Sequence, residues 1–278
     1  MVEEREDKDM GEAVISLKGV QKSYGKHQVL YDVNLQIDKG DIYGLVGKNG
    51  AGKTTIFKII LGLSEYQEGE LEIGGHKENL AAGRSKIGFL VGSNFFPYLS
   101  GRKNLEYYRV LRGIKDKSEV DRVLKIVGLD GVKSHYKNYS MGMRQRLGIA
   151  NAIMGSPEIL ILDEPTNGLD PQGIADVRHL IQKLNEEYNM TIVVSSHILG
   201  ELQNTAHRFG IVNSGAMAKA ITQDDLKVKE KSVRVTVDDV ERAKQVLEAA
   251  GIQILDEKQD TRSLEDYYFE LLGGKEDA

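Results

Sequence analysis

The chain has 278 residues, of which 40% are hydrophobic and 28% charged, enough to bury a sizeable core in one large domain or in a large and a small one. It contains no cysteine, which excludes disulfides and thiolate metal sites and fits a reducing compartment. The formal net charge of −5 excludes a general basic field that would attract nucleic acid, so we expect no nucleic-acid partner.

The first segment, residues 1–12, is rich in charge and lacks the apolar core of a signal peptide. We expect it to be a disordered acidic tail. Elsewhere in the sequence, no apolar run approaches the roughly 18 residues of a membrane-spanning helix. The pattern therefore predicts a cytoplasmic protein that does not cross the bilayer by itself.

The N-terminal third of the sequence has the pattern of short strands. Apolar segments at residues 14–17 and 29–37 are separated by glycine and aspartate turns, which predicts antiparallel strands. They lead into a wholly apolar run, Ile42–Val46, which we expect to be a core strand. Residues 71–75 predict a further edge segment.

The apolar spacing changes to a helical one from about residue 93 to about residue 155. One clear repeat is Val120, Val123, Leu124 and Val127. This spacing indicates a helical subdomain inserted between the strand-rich segments.

Two short apolar runs, Ile159–Leu162 and Thr191–Val194, flank a helical pattern at residues 173–188. Buried parallel strands joined by a crossover helix have this pattern. We therefore predict an α/β domain over residues 13–225. After it, strand and helix patterns alternate over residues 230–278 and predict a small C-terminal α/β appendage.

The most informative motif lies between the strand at Ile42–Val46 and a helical run at residues 55–63. It has the pattern Gly-x-x-x-x-Gly-Lys-Ser/Thr of a phosphate-binding loop, in which glycines let backbone N–H groups surround the phosphates. We expect Lys53 to reach the β- and γ-phosphates and the Thr54 hydroxyl to bind Mg²⁺. A glycine-rich turn that matches by chance is the alternative, and the flanking strand and helix argue against it. The predicted nucleotide-binding residues of this loop are Gly47, Lys48, Asn49, Gly50, Ala51, Gly52, Lys53, Thr54 and Thr55.

Two adjacent acids, Asp163 and Glu164, follow the apolar run at residues 159–162. Bare carboxylates at the end of a buried strand are costly unless they hold a cation or water. Because successive strand residues face opposite sides, we assign Asp163 to Mg²⁺ and Glu164 to the attacking water. Alone, the two acids would more ordinarily form a solvated turn, and the phosphate-binding loop in the same chain argues against that.

Four further segments give the chain a resemblance to the ATP-binding cassette (ABC) ATPases. Residues 139–147, Tyr-Ser-Met-Gly-Met-Arg-Gln-Arg-Leu, resemble the signature motif, and residues 167–171, Asn-Gly-Leu-Asp-Pro, resemble the D-loop. His197 at the end of Ser-Ser-His resembles the switch histidine, and Tyr24 resembles the aromatic that stacks on adenine. The resemblance covers roughly residues 14–220. It implies a P-loop fold with a RecA-like α/β core, an antiparallel β subdomain and a helical subdomain.

The resemblance also implies how the site is assembled, with ATP and Mg²⁺ as cofactors. Two cassettes, identical or homologous, would pair head to tail and hold each ATP between the P-loop of one and the signature of the other. Ser140 and Gly142 would then contact the γ-phosphate from the partner, at a helix N-terminus. His197 would hold the γ-phosphate and the water, although a lone histidine is ordinarily structural.

Three departures from the family pattern are visible, one of which is the small appendage at residues 230–278. The signature is Tyr-Ser-Met-Gly-Met in place of Leu-Ser-Gly-Gly-Gln, and Gly92 stands where the Q-loop glutamine is usual. The signature and the C-terminal Ser-Leu-Glu-Asp-Tyr-Tyr-Phe-Glu-Leu-Leu-Gly-Gly resemble the ATPase subunits of bacitracin- and lantibiotic-type exporters. In that group the Q-loop position is itself variable.

This resemblance implies an ATP-hydrolysing subunit that powers a separate permease, an exporter of peptide antibiotics or other amphipathic compounds. The subunit would bind peripherally to the cytoplasmic face of the cell membrane through that permease. One alternative is a soluble ABC ATPase that acts mechanically on a macromolecule; the single cassette and the lack of long coiled coils disfavour it. Another is a regulatory cassette without turnover, which Gly92 leaves open and which Glu164 and His197 argue against.

Overall fold

A computed structural model describes residues 11–90, 95–223, 237 and 239–252. The chain divides into two units, Met1–Leu226 and Lys227–Ala278. Most of the expected acidic tail and all of the segment around Gly92 lie outside the described residues.

The first unit contains strands and helices in alternation. The strands are β1 (Ala13–Tyr24), β2 (His27–Asp38), β3 (Ile42–Val46), β4 (Glu68–Ile73), β5 (Ile87–Leu90), β6 (Ile159–Leu162), β7 (Thr191–Ser196), β8 (Arg208–Asn213) and β9 (Ala216–Thr222). The helices are α1 (Lys53–Ile60), α2 (Leu80–Arg84), α3 (Gly101–Leu111), α4 (Ser118–Ile126), a 3₁₀ turn (Tyr136–Asn138), α5 (Met141–Ala152), α6 (Pro171–Glu186) and α7 (Leu199–Gln203).

The strands form two sheets that match the predicted division. A three-stranded antiparallel sheet has the order β2-β1-β4, with β4 at its edge. A six-stranded sheet has the order β5-β6-β7-β3-β8-β9, and its strands are parallel except for β9. Because β3, β6 and β7 are buried along their whole length, their sequences lack the alternation of a half-exposed strand.

The end of α1 differs from the sequence prediction. The helical run was expected over residues 55–63, yet the helix begins at Lys53 and ends at Ile60, and Leu63 is 60% exposed. Gly62 has a φ of 73°, and the backbone N–H of Leu63 donates back to the carbonyl of Lys58 at 2.7 Å. A left-handed glycine with this bond ends a helix, so Leu63 does not join the buried apolar face.

The helical subdomain packs α3, α4 and α5 against one another, as the spacing of Val120, Val123 and Leu124 predicted. All three side chains are buried. The buried carboxylate of Glu119 accepts hydrogen bonds from Arg122, at 2.8 and 2.6 Å, and from the backbone N–H of Gly155, at 2.6 Å. These bonds connect α4 to the turn that follows α5.

In the second unit the described residues include one helix, Val240–Ala249, where the apolar spacing predicted it. The rest of the strand and helix patterns that predict the C-terminal appendage lie almost wholly outside the described residues. Among the residues that the structure describes, no helix combines the length and the apolar character that crossing a membrane requires.

Candidate nucleotide-binding site

The P-loop connects β3 to α1 at the carboxyl end of the parallel sheet. Gly50 and Gly52 have φ values of 81° and 114°, a region that side chains rarely adopt. A Cβ at Gly52 would also lie 2.7 Å from a methyl carbon of Leu30. The glycines therefore allow the loop to curl. Helix α1 begins at Lys53, and the N–H groups of the first turn of the helix face the curled loop.

A cleft of about 280 Å³ lies over this loop. Its lining combines backbone donors, an ammonium group, a carboxylate and an aromatic ring. The lining residues are Tyr24, Val29, Asn49, Gly50, Ala51, Gly52, Lys53, Thr54, Thr55 and Glu164. Most of the residues predicted to bind nucleotide therefore share one cleft; Gly47 and Lys48 form the start of the same loop.

Lys53 is 5% exposed and is held at the centre of the loop. Its Nζ donates to the carbonyl of Gly47 at 2.6 Å and lies 3.2 Å from Oε1 of Glu164. A buried ammonium requires such partners because losing water without them is costly. The predicted phosphate-binding cation and the predicted catalytic carboxylate are thus in direct contact.

Glu164 lies between two basic side chains. Its Oε2 is 2.6 Å from Nδ1 of His197, and its Oε1 is paired with Lys53. The φ of Glu164 is 49°, in the left-handed region, which turns its side chain away from the strand direction and into the cleft. The three residues predicted to be catalytic therefore form one hydrogen-bonded cluster.

Asp163 occupies the next position toward β6 and faces α1. Its Oδ2 accepts a hydrogen bond from the hydroxyl of Thr54 at 2.8 Å. Hydroxyl and carboxylate oxygens are hard ligands that suit Mg²⁺, which completes its shell with waters and phosphate oxygens. Within the described residues, no group of three or more His, Asp or Glu side chains is arranged to hold a metal ion.

Ser195, to which sequence reasoning assigned no separate role, lies beside both acids. Its hydroxyl donates to Oδ1 of Asp163 at 2.7 Å and accepts the backbone N–H of Glu164 at 2.8 Å. Parallel pairing of β6 with β7, with Leu162 opposite Val194, places Ser195 level with Asp163. The sequence shows only that Asp163 and Ser195 each directly follow an apolar run, and the pairing of those two runs comes from the structure.

Tyr24 ends β1 at the margin of the cleft, and its ring is largely exposed. Its hydroxyl lies 3.2 Å from Oγ of Ser64. The ammonium of Lys22, a buried residue outside the cleft lining, lies 4.6 Å from the ring centroid. Two contacts therefore hold the tyrosine, one at its hydroxyl group and one on a face of its ring. The ring remains available to stack on a ligand in the cleft.

The signature residues occupy a different part of the first unit. Ser140 caps α5 by accepting the backbone N–H of Met143 at 3.2 Å, and Gly142 follows in the first turn with open space beside it. Neither lines the cleft over the P-loop among the described residues. The structure thus does not bring Ser140 and Gly142 to the P-loop of their own chain.

Comparison with known proteins identifies the family. The family model described as "ABC transporter" matches residues 30–167. The chain is 41% identical to the bacitracin transport ATP-binding protein BcrA of Enterococcus faecalis, over 86% of this chain and 79% of that protein. The chain belongs to the ABC transporter family. The BcrA protein of Bacillus licheniformis is 36% identical to this ABC ATPase, over 94% of this chain and 98% of that protein.

Further relatives agree with this assignment. The lantibiotic transport ATP-binding protein SrtF of Streptococcus pyogenes is 40% identical over 73% of the ABC ATPase and 88% of that protein. Among solved structures, a dimeric ATP-binding cassette in a post-hydrolysis state, bound to ADP and Pi, has a TM-score of 0.67 and 29% identity. That match covers 75% of this chain and 98% of the other.

These findings confirm the predicted family, its resemblance to bacitracin and lantibiotic transport subunits, and the P-loop ABC fold. The protein is an ABC-type ATPase that binds ATP as a subunit of a transporter. The roles assigned to individual site residues stay predictions. The Q-loop position, Gly92, lies outside the described residues.

Proposed function

We propose that this ABC ATPase hydrolyses MgATP as half of a head-to-tail dimer and thereby drives a separate membrane permease that exports a peptide antibiotic or another amphipathic compound. The observation that carries the proposal is the position of Glu164 between Lys53 and His197 in the cleft over the P-loop. The relatives are named as bacitracin and lantibiotic transport ATP-binding proteins, and these names support the proposed class of cargo.

The contacts suggest how the catalytic cluster works. Both carboxylate oxygens of Glu164 have a basic partner, one in Lys53 and one in His197. When phosphates enter the loop, Lys53 exchanges Glu164 for phosphate oxygens, which releases Oε1. Glu164 then accepts a hydrogen bond from the attacking water through Oε1, while His197 keeps the carboxylate oriented and reaches toward the γ-phosphate. This exchange couples phosphate binding to the activation of the carboxylate.

Thr54 and Asp163 are the residues that would hold Mg²⁺. A magnesium ion held by them would supply positive charge that offsets the charge of the phosphates. Tyr24 stacks on the adenine, and the loop from Gly47 to Gly52 surrounds the phosphates with backbone N–H groups.

The dimer is proposed because the site is incomplete in one chain. Ser140 and Gly142 present a capped helix N-terminus, which favours an anion, yet they do not line their own cleft. A second copy or a homologous cassette, placed head to tail, would bring them to the γ-phosphate. The dimeric cassette with ADP and Pi supports this arrangement.

The permease is proposed because a transporter needs spanning segments, and the described residues contain none. The ATPase would bind to such a permease at the cytoplasmic face of the membrane. To test this, the protein and any membrane protein that co-purifies with it from native membranes would be reconstituted in vesicles. We expect ATP-dependent movement of bacitracin or a lantibiotic, and none with Glu164→Gln. Recovery of ribosomes or DNA in place of any permease, with no transport, would favour the mechanical alternative.

A further inference from the structure

We propose that Ser195 is a positioning residue for ATP hydrolysis, whose hydroxyl fixes both the Asp163 carboxylate and the Glu164 backbone. The inference rests on the proposed roles of Asp163 and Glu164 and adds a residue that acts through them. Ser195 lies on β7, the strand between the P-loop strand and the strand that ends in the two acids.

The hydrogen-bonding capacity of a serine fixes the direction of both contacts. The N–H of Glu164 can only donate, so the hydroxyl oxygen of Ser195 accepts it, at 2.8 Å. The hydroxyl proton is then available for Oδ1 of Asp163, an acceptor at 2.7 Å. The side chain is 0% exposed, so water does not replace either contact. One buried hydroxyl therefore links the proposed metal ligand to the proposed water-positioning residue.

Asp163 is held from two sides by hydroxyl groups. Ser195 bonds Oδ1, and Thr54 at the start of α1 bonds Oδ2 at 2.8 Å. The carboxylate plane is fixed by these two bonds, while each oxygen retains a lone pair for another partner. Removing Ser195 would leave Asp163 free to rotate about the bond to Thr54.

Glu164 needs the contact for a different reason. Its φ of 49° is uncommon for a residue with a side chain and persists only where the surroundings hold it. The bond from its N–H to Ser195 is the contact that fixes the amide at this turn. The same turn directs the carboxylate to Lys53 and His197. Without Ser195, the backbone can relax and the carboxylate moves from the position that the water requires.

The first test compares Ser195→Ala with the parent protein. We expect kcat to fall on the order of 10–100-fold, the scale of losing a group that orients a ligand or catalytic residue. The dissociation constant for a fluorescent ATP analogue should change little, because the P-loop and Tyr24 supply that binding. A loss of packing alone would not separate kcat from affinity in this way.

An isosteric pair separates the hydroxyl from the shape of the side chain. Ser195→Thr keeps the hydroxyl, whereas Ser195→Val has the same shape without it, so we expect the threonine variant to retain more kcat. Thr191→Val is the control: Thr191 is buried at the other end of β7, where its hydroxyl accepts the N–H of Gly40 at 2.9 Å. We expect this control to hydrolyse ATP at the parental rate.

A double variant tests whether Ser195 acts through Glu164. If it does, Ser195→Ala should add little to the loss caused by Glu164→Gln, since residues that work as a unit are not additive. Parental kcat in Ser195→Ala or equal losses in the threonine and valine variants would overturn the inference, and losses that multiply in the double variant would overturn the part of it that acts through Glu164. If Glu164→Gln alone hydrolyses ATP normally, the proposed role of Glu164 has failed instead, which the same experiment distinguishes.

Discussion

Lys53 and Glu164 form an ion pair in the cleft over the P-loop, with 3.2 Å between Nζ and Oε1. Each residue belongs to a separate motif, and each proposed task requires a different partner: phosphate for the lysine and water for the carboxylate. The pair therefore satisfies both charges within the cleft. Removing one member leaves the other charge without its partner, which is costly in a poorly solvated position.

The first prediction concerns Lys53. In Lys53→Ala we expect ATP binding or hydrolysis to collapse, because the phosphates lose their main cation, while the fold persists. Calorimetry with ATP and circular dichroism would measure the two effects. We further expect Lys53→Ala to lower the melting temperature and Glu164→Gln in the same chain to restore part of it, since the unpaired carboxylate is then removed. If Lys53→Ala alone binds and hydrolyses ATP as the parent does, the proposed role of Lys53 is wrong.

The second prediction concerns turnover. Glu164→Gln should keep ATP affinity and lower kcat by about 10²-fold or more, the scale of losing a general base. It should also accumulate an ATP-bound dimer, detectable by size-exclusion chromatography with light scattering. Glu158→Gln is a matched control. Glu158 lies just before β6, whereas Glu164 lies just after it, and the Glu158 carboxylate forms a solvent-exposed ion pair with Lys86. Unchanged hydrolysis in Glu164→Gln would reject its role.

Much of this site could be predicted because its motifs are local. The P-loop needs glycines and a lysine at fixed spacing, and the buried strand that ends in Asp163 is visible as an apolar run. The contacts of Ser195 could not be read from the sequence, because they depend on β7 lying between β3 and β6. The order of parallel strands in a sheet is not encoded in the pattern of any one strand.

Some strands and helices lack a sequence pattern from which they could be predicted. Strands β8 and β9 were not predicted, although Ser214 and Gly215, both with positive φ, mark the turn between them. Their residues mix apolar and polar types without clear alternation, and a shift in register interrupts the pairing. The short helix α2 has only five residues, too few for a helical period to be recognised.

The third prediction concerns Tyr24. In Tyr24→Ala we expect ATP binding to weaken by on the order of 1–3 kcal/mol, as for base stacking on an aromatic ring elsewhere. Tyr24→Phe keeps the ring and loses only the contact with Ser64, so its affinity should stay near the parental value. Inorganic triphosphate, which has no base, should bind the alanine variant and the parent equally. If triphosphate and ATP bind the parent with the same affinity, Tyr24 does not stack on adenine.

The fourth prediction concerns the acid stability of the helical subdomain. Burial of Glu119 opposes its ionisation, but the hydrogen bonds from Arg122 and from the N–H of Gly155 outweigh it and hold the pKa of Glu119 below its usual value. In the unfolded chain the group regains an ordinary pKa of about 4.3. The unfolded state therefore binds the proton first as the pH falls, and the stabilisation present above that pKa is lost below it.

We accordingly expect Glu119→Gln to lower the melting temperature at pH 7 and to have a flatter dependence of stability on pH. The difference between parent and variant should begin to shrink as the pH falls below about 4.3 and should be lost once the pH has passed the lower pKa of the folded state, where both side chains are uncharged. Glu186→Gln, at an exposed position near the end of α6, controls for the loss of one carboxylate and should follow the parent. Thermal denaturation from pH 7 to well below pH 4, past the lowered pKa of the folded state, measures all three proteins. A difference that stays constant across this range would mean that Glu119 stabilises the subdomain by packing, because a contribution from its ionised form must disappear in acid.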